Sequence, residues 1–145
     1  DSTAGIKVST VDIAPTLLDY AGVEIPSEMQ GRSLMPVIRN THNREDWTRS
    51  YAEFFSQRFM YTQRITWKGR WKYIFNPAGR DELYDLEDDP HEMSNLAECP
   101  DFKEALNDMV REMWRNMERI GDFTLLESGY ATLRTAPVGP LSRFD

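Results

Sequence analysis

The sequence predicts an α+β fold: a small antiparallel sheet of about four strands covered by a long C-terminal helix, preceded by a helix-loop segment. Three observations lead there. The segments RSYAEFF, MYTQRIT, RWKYIF and ELYDL are short, aromatic-rich and separated by turn residues, the texture of antiparallel strands. Phe102, Ala105, Leu106, Met109, Val110, Met113, Met117 and Ile120 recur at steps of three and four, one stripe along a long helix. Ala14, Leu17, Leu18 and Ala21 repeat that spacing near the N-terminus.

Each element has a local rationale. Asp12 can cap the first helix, leaving Pro15 in its first turn, where a missing N–H costs little, and Gly22 is a natural stop. VEIPSEMQGRSLMPVIRN reads as a loop with a short helical stretch near Ser33 to Ile38. The polar THNRED marks a boundary, which divides the chain into residues 1–46, 47–121 and an irregular tail, 122–145. WKG predicts a three-residue hairpin loop with Gly69 left-handed, pairing Ile65 with Trp71, Gln63 with Tyr73 and Tyr61 with Phe75. This register collects those six on one face and sends Arg64, Arg70 and Lys72 to the other; a two-residue loop would mix apolar and charged side chains on both. Asp101 and Glu104 have capping-box spacing at the start of the long helix. Lys103, Asp108, Arg111, Glu112 and Arg115 fall on its outer side, and Gly121 ends it. This helix and the aromatic face of the sheet each need an apolar partner and are expected to cover one another.

Composition narrows the function classes. The chain has 145 residues and a formal net charge of -7, with 40% hydrophobic and 28% charged residues. That balance is globular and argues against a general nucleic-acid or anionic-membrane binder. No apolar run approaches the roughly 20 residues of a membrane span. The single cysteine, Cys99, excludes an internal disulfide. DSTAGIKVST has no initiating Met and no apolar signal core, as expected of a piece of a longer chain. The helix at residues 12–21 is expected to expose its apolar stripe and to drive self-association unless a partner covers it.

The acidic run ELYDLEDDPHEMSNLAEC invites a metal reading, which its spacing does not support. An EF-hand counted from Asp85 needs Gly at its sixth position and finds Pro90. His91-Glu92-Met93-Ser94-Asn95 begins like a zinc-protease helix, without the second histidine. Helix-start chemistry is the simpler account: Asp89 as N-cap, Pro90 at the first helical position and Glu92 as the capping-box acid. Cys99 lacks a motif partner among the only histidines, His42 and His91. Asp12 and Asp19 are explained by a cap and a polar helix side. No Gly-rich phosphate loop, GxSxG or paired-cysteine motif occurs. Arg64, Arg70 and Lys72 could form a basic face for an anion, since guanidinium groups match sulfate, phosphate and carboxylate oxygens; the plainer reading is a solvated sheet face.

Four stretches in order resemble the C-terminal third of sulfatases of the alkaline-phosphatase-like superfamily. VSTVDIAPTLLDYAGVEIP looks like the helix segment after the last strands of the main domain. Gly31, Ser33, Leu34 and Pro36 match a G-x-S-L-x-P stretch, and Lys72 and Tyr73 a "KY" strand. Glu82, Leu83, Tyr84, Asp85, Leu86, Asp89, Pro90, Glu92, Asn95 and Leu96 match a strand-and-turn signature. The resemblance implies a sulfate ester hydrolase whose residues 1–46 finish a larger α/β domain. It also implies calcium and a formylglycine nucleophile, from a C/S-x-P-x-R motif, in the full-length enzyme. Cys99-Pro100-Asp101-Phe102-Lys103 is not that motif, so no catalytic or metal residue is carried onto this chain. The segment is expected to complete the fold, to be inactive alone, and to offer Arg64, Arg70, Lys72 and His42 at the substrate rim. A phosphonate monoester or phosphodiester hydrolase, or a non-enzymatic anion-binding module, are the alternatives.

Overall fold

The computed structural model describes residues 6–41, 47–55, 62–77 and 79–122. The chain divides into two units, residues 1–50 and 51–145. His42 and Tyr61, and all of the tail beyond Asp122, lie outside the described residues.

In the first unit a 3₁₀ turn at Thr10–Asp12 runs into α1 (Ile13–Tyr20), and α2 is the short Met35–Ile38. Asp12 stands at the N-cap position of α1 but makes no side-chain cap bond to it, which corrects the expected cap. Its buried carboxylate accepts the Ser9 N–H (2.9 Å), closing the turn, and the Arg32 N–H (3.0 Å) from the loop 20 residues on. Thr16 repeats the device: its hydroxyl donates to the Asp12 carbonyl (2.5 Å) and accepts the Leu34 N–H (2.8 Å). Gly31 is required between them, because a Cβ there would lie 2.0 Å from the Val11 carbonyl oxygen. Pro15 is buried in the first turn, as its missing N–H allows. Gly22 (φ +69°) closes α1 through Gly22 N–H to Asp19 O (3.1 Å) and Val23 N–H to Leu18 O (2.9 Å), a Schellman motif. Val11, Ile13, Leu17 and Tyr20 are exposed, Leu17 at 63% and Tyr20 at 75%. The Arg32 guanidinium lies 3.5 Å from the centre of the buried Trp47 ring.

The second unit is built on a sheet of β1 (Arg49–Phe55), β2 (Thr62–Lys68), β3 (Trp71–Phe75) and β4 (Glu82–Asp85), in that order. β2–β3 and β3–β4 are antiparallel. The hairpin register corrects the sequence reading. Lys68 pairs with Trp71 and Arg64 with Phe75, so the loop is the two residues Gly69-Arg70. Gly69 is left-handed (φ +56°), as a primed two-residue turn requires of its first central residue. Arg64, Thr66, Trp71, Tyr73, Phe75 and Leu83 therefore share one face, and Ile65, Trp67, Lys72, Ile74 and Tyr84 the other. Apolar and charged side chains are mixed on both faces, which polarity segregation alone would forbid. Burial of Arg64 with a distant carboxylate is what permits it.

The long helix, α3 (Lys103–Ile120), packs its stripe on the first face. Leu106, Met109, Val110, Met113, Trp114 and Met117 form one core with Tyr73, Phe75 and Leu83, and Tyr51, Trp71, Leu96 and Phe102 flank it. Phe75 and Trp114 approach to 6.5 Å between ring centres, and Trp71 meets Phe102 edge-on at 5.9 Å. The start of α3 differs from expectation. A 3₁₀ turn at Pro100–Phe102 leads in, Phe102 occupies the N-cap and makes no side-chain cap bond, so Asp101 and Glu104 form no capping box. Packing of Phe102 on Trp71 sets the entry instead. Trp114 widens the apolar face beyond one row of steps, and Glu112, expected on the outer side, is instead buried, its carboxylate accepting from Arg115 Nη1 at 3.3 Å.

Met113 is fully buried in this core and Met93 is 82% exposed. Met113→Ala should destabilise the protein by about 2–5 kcal/mol in urea unfolding, while Met93→Ala stays within about 0.5 kcal/mol of the parent.

Candidate functional site

The signature stretch, residues 82–96, has a concrete structural task. β4 is an edge strand, and an edge leaves a row of backbone donors and acceptors unpaired. The chain turns back and closes it. Leu96 N–H donates to Leu83 O (2.8 Å), and the Asn95 carboxamide oxygen accepts Leu83 N–H (3.0 Å) and Ala97 N–H (2.9 Å). The Asn95 amide nitrogen donates to Asp81 O (3.0 Å). A side-chain amide offers donor and acceptor in one planar group, imitating a strand residue.

Residues 86–95 form turns and no helix, correcting the helix-start reading of Asp89, Pro90 and Glu92. Asp89 N–H donates to Asp85 O (2.7 Å), Glu92 N–H to Asp89 O (3.2 Å), and the Asp89 carboxylate accepts Ser94 N–H (2.8 Å). The hydrogen-bonded loop takes Glu92 to φ +57°, left-handed backbone incompatible with a helix. Backbone N–H groups of Met93 and Ser94 hold the Asp89 carboxyl below the usual range. Burial pushes the Asp85 carboxyl up, but hydrogen bonds from Arg70 and the Glu87 N–H outweigh it and leave it lowered.

These carboxylates meet the cations singled out in the sequence. Arg70, in the hairpin turn, donates Nε to Asp85 (2.6 Å), pairs through Nη2 with Asp88 (2.6 Å) and lies 3.2 Å from Glu87. Lys72 Nζ pairs with Glu92 (2.5 Å) and lies 5.7 Å from the Trp67 ring centre. Arg64 is on the opposite face from Lys72 and is fully buried. Its Nε donates to Asp122 (2.5 Å), its Nη1 to Thr62 Oγ1 (2.5 Å) and Gln63 O (3.0 Å), and Glu53 lies at 3.5 Å. Asp122 reaches it because α3 ends in a second Schellman motif: Gly121 (φ +69°) donates to Glu118 O (3.2 Å) and Asp122 N–H to Met117 O (2.9 Å). Desolvation pushes the Glu53 carboxyl up against the pull of Arg64, with Asp122 repulsion adding to the rise.

The structure thus does not bring Arg64, Arg70 and Lys72 onto one face, and each directs donors to carboxylates of this chain. Among the described residues, no group of three or more His, Cys, Asp or Glu side chains could hold a metal ion. Cys99 is half-buried at the 3₁₀ turn before α3. Sequence reasoning missed two residues that organise the unit. Asn95 lay in the signature without a role, and Asp122 fell in the part expected to be irregular. The available signal for Asp122 was its place directly after the helix-stopping Gly121.

Asn95→Ala should cost about 1–3 kcal/mol in urea unfolding, since it strands the buried Leu83 N–H; Asn95→Asp, which keeps the acceptor and loses the donor, should cost less. Asp85 and Asp89 titrate low in the folded protein, so their stabilisation is present above the ordinary carboxylate pKa of about 4 and is lost as pH falls through the lower folded values. Urea midpoints should therefore fall on acidification below about pH 4, and Asp89→Asn should flatten that limb while lowering the plateau near neutral pH.

The sequence matches the family described as N-sulphoglucosamine sulphohydrolase, C-terminal, over residues 2–119. N-acetylglucosamine-6-O-sulfatase of Bacteroides thetaiotaomicron is 28% identical over 128 residues, covering 83% of this chain and 23% of that protein. A crystal structure of a putative sulfatase from Bacteroides thetaiotaomicron superposes with a TM-score of 0.72 at 30% identity, covering 78% of this chain and 25% of that one. BT4656, solved in complex with its substrate D-glucosamine-2-N,6-O-disulfate, gives 0.69 at 29% identity, covering 83% and 26%. The chain spans about a quarter of the length of these relatives. The matched order of helix-loop, four-stranded sheet and long helix, over 118 residues, shows that this chain belongs to the N-sulphoglucosamine sulphohydrolase C-terminal family, the C-terminal sulfatase region of the alkaline-phosphatase-like superfamily.

Proposed function

We propose that this chain is the C-terminal portion of an enzyme that hydrolyses sulfate esters, and that its own residues complete the fold while residues outside these 145 carry out group transfer. The family match over residues 2–119 carries the reading. The boundaries 1–46, 47–121 and 122–145 are part of it, the first segment belonging to the larger α/β domain. The relatives named for N-acetylglucosamine 6-O-sulfate and solved with a glucosamine disulfate favour a sulfated amino sugar as substrate.

Calcium and formylglycine belong to the full-length enzyme in this reading. The described residues do not fit them: no set of three or more candidate ligands converges, and Cys99-Pro100-Asp101-Phe102-Lys103 has its proline and basic residue in the wrong places. No chemical step is assigned to this chain. In this reading Arg64, Arg70 and Lys72 act as structural cations, holding the end of α3 and the signature turn, and His42, outside the described residues, stays a rim candidate. The exposed row of Val11, Ile13, Leu17 and Tyr20 is the face that the α/β domain would cover.

Three measurements test this. The full-length enzyme should release sulfate from 6-O-sulfated glucosamine; hydrolysis of phosphonate monoesters without sulfate release would favour the phosphonate hydrolase instead. The 145-residue chain alone should show no turnover of an aryl sulfate, and measurable turnover would contradict the division of labour. In sedimentation the isolated chain should self-associate, Leu17→Glu/Tyr20→Glu should reduce this, and a compact monomer would count against the covered face.

A further inference from the structure

One buried cation in the second unit is met by two carboxylates. Asp122 Oδ2 lies 2.5 Å and Glu53 Oε1 3.5 Å from the same atom, Arg64 Nε. Tyr51, Glu53 and Phe55 are alternate residues of β1 and share one side of it, and the Phe55 ring centre lies 4.8 Å from the guanidinium carbon. The Arg64 side chain is fully buried and that of Asp122 is 4% exposed, whereas Glu53 keeps 31%. Among the described residues, the titratable and charged groups that act on Glu53 are Arg64 from β2 and Asp122 from the end of α3, with Tyr51 on its own strand.

With both carboxylates ionised, the site carries one negative charge in excess of its single cation. Two carboxylates that share a site with little water do not ionise independently; one keeps its proton to a higher pH. Position selects which. Asp122 makes the short bond to Nε and has almost no access to water, so its charge stays. Glu53 stands farther from the guanidinium and reaches solvent, so it takes up the proton and releases it. Burial raises the Glu53 carboxyl against the pull of Arg64, and Asp122 adds to the rise through its charge and a hydrogen bond. We propose that Glu53 and Asp122 hold one proton between them beside Arg64, forming a clasp between β1 and the end of α3 that is closed in acid and loosened when Glu53 ionises. This inference is independent of the sulfatase reading.

A carboxyl that binds its proton more tightly in the folded chain contributes stability that is complete below its unfolded pKa of about 4.3 and is lost as pH rises through the folded value. The sign is opposite to that of Asp85 and Asp89. Glu53→Gln keeps the shape and the donor of the protonated acid and cannot ionise. Its urea midpoint should therefore rise relative to the parent's by roughly 0.5 M or more as pH goes from about 4.5 to about 7. Asp85 and Asp89 are present in both proteins and cancel in the difference. A difference that does not change with pH would overturn the proposal. So would a parent that gains on the variant toward neutral pH, which would make Glu53 an ordinary ion-pair partner of Arg64. Should the variant fail to fold, carboxyl-carbon NMR of the unmodified protein decides it. Glu53 should titrate above the ordinary glutamate value of about 4.3 and shift the Asp122 N–H resonance over the same pH range, and a Glu53 midpoint at or below that value would refute the clasp.

Discussion

The buried ion pair between Arg64 and Asp122 constrains everything else in the second unit. A guanidinium taken out of water costs several kcal/mol unless a carboxylate and further acceptors meet it, so the site is stable only when complete. Completing it requires three things at once: Arg64 on the helix-facing side, α3 of a length that ends above β2, and a left-handed Gly121 that turns Asp122 inward. The pair spans 58 residues and joins the middle of the sheet to the end of the helix. The hydrophobic core supplies the driving force, while the ion pair selects the register in which that core forms. Breaking such a pair from one side leaves an uncompensated charge, costing about 3–5 kcal/mol, whereas replacing both partners with apolar groups can be nearly neutral.

The same logic runs through the signature stretch. Asn95 closes the edge of β4, Asp89 organises the turn, Asp85 and its neighbours gather Arg70, and Glu92 meets Lys72. Tyr73 adds a bond from its buried hydroxyl to Asp81 (2.6 Å), which also accepts Asn76 N–H (3.0 Å). A run of acids beside a histidine has the composition of a metal site, yet here the carboxylates accept backbone N–H groups and neutralise cations of adjacent strands. Acceptors used in this way are poorly placed to converge on an ion. In the first unit Asp12 and Thr16 perform the corresponding work, fastening the GRSL loop to α1. The side chains of these motifs named here are thus engaged in bonds within the chain.

Elements with a strong period were legible in the sequence. The stripe from Leu106 to Met117, the four strands, Gly22 and Gly121 as stops, and the short helix after Ser33 all stand as the residue pattern implies. The hairpin register was not legible. Placing charged residues outside is sound for an exposed arginine and fails for one whose counter-ion is 58 positions away. The N-cap at Asp101 and the helix start at Asp89 failed for a related reason. Capping spacing is a local preference of about 1 kcal/mol, and the Phe102–Trp71 contact and the closure of β4 by Asn95 override it. Arg70 and Lys72 were read as a basic face because their partners are contributed by a turn that approaches only in the folded chain.

A double-mutant cycle on unfolding free energy, with Arg64→Met, Asp122→Leu and their combination, tests the central claim most directly. If the pair sets the register and holds α3, each single change is costly and the double recovers part of the loss, with a coupling of about 2–3 kcal/mol. Additive effects within about 0.5 kcal/mol would show that Arg64 does not depend on Asp122, and would return it to the list of side chains free to meet a substrate.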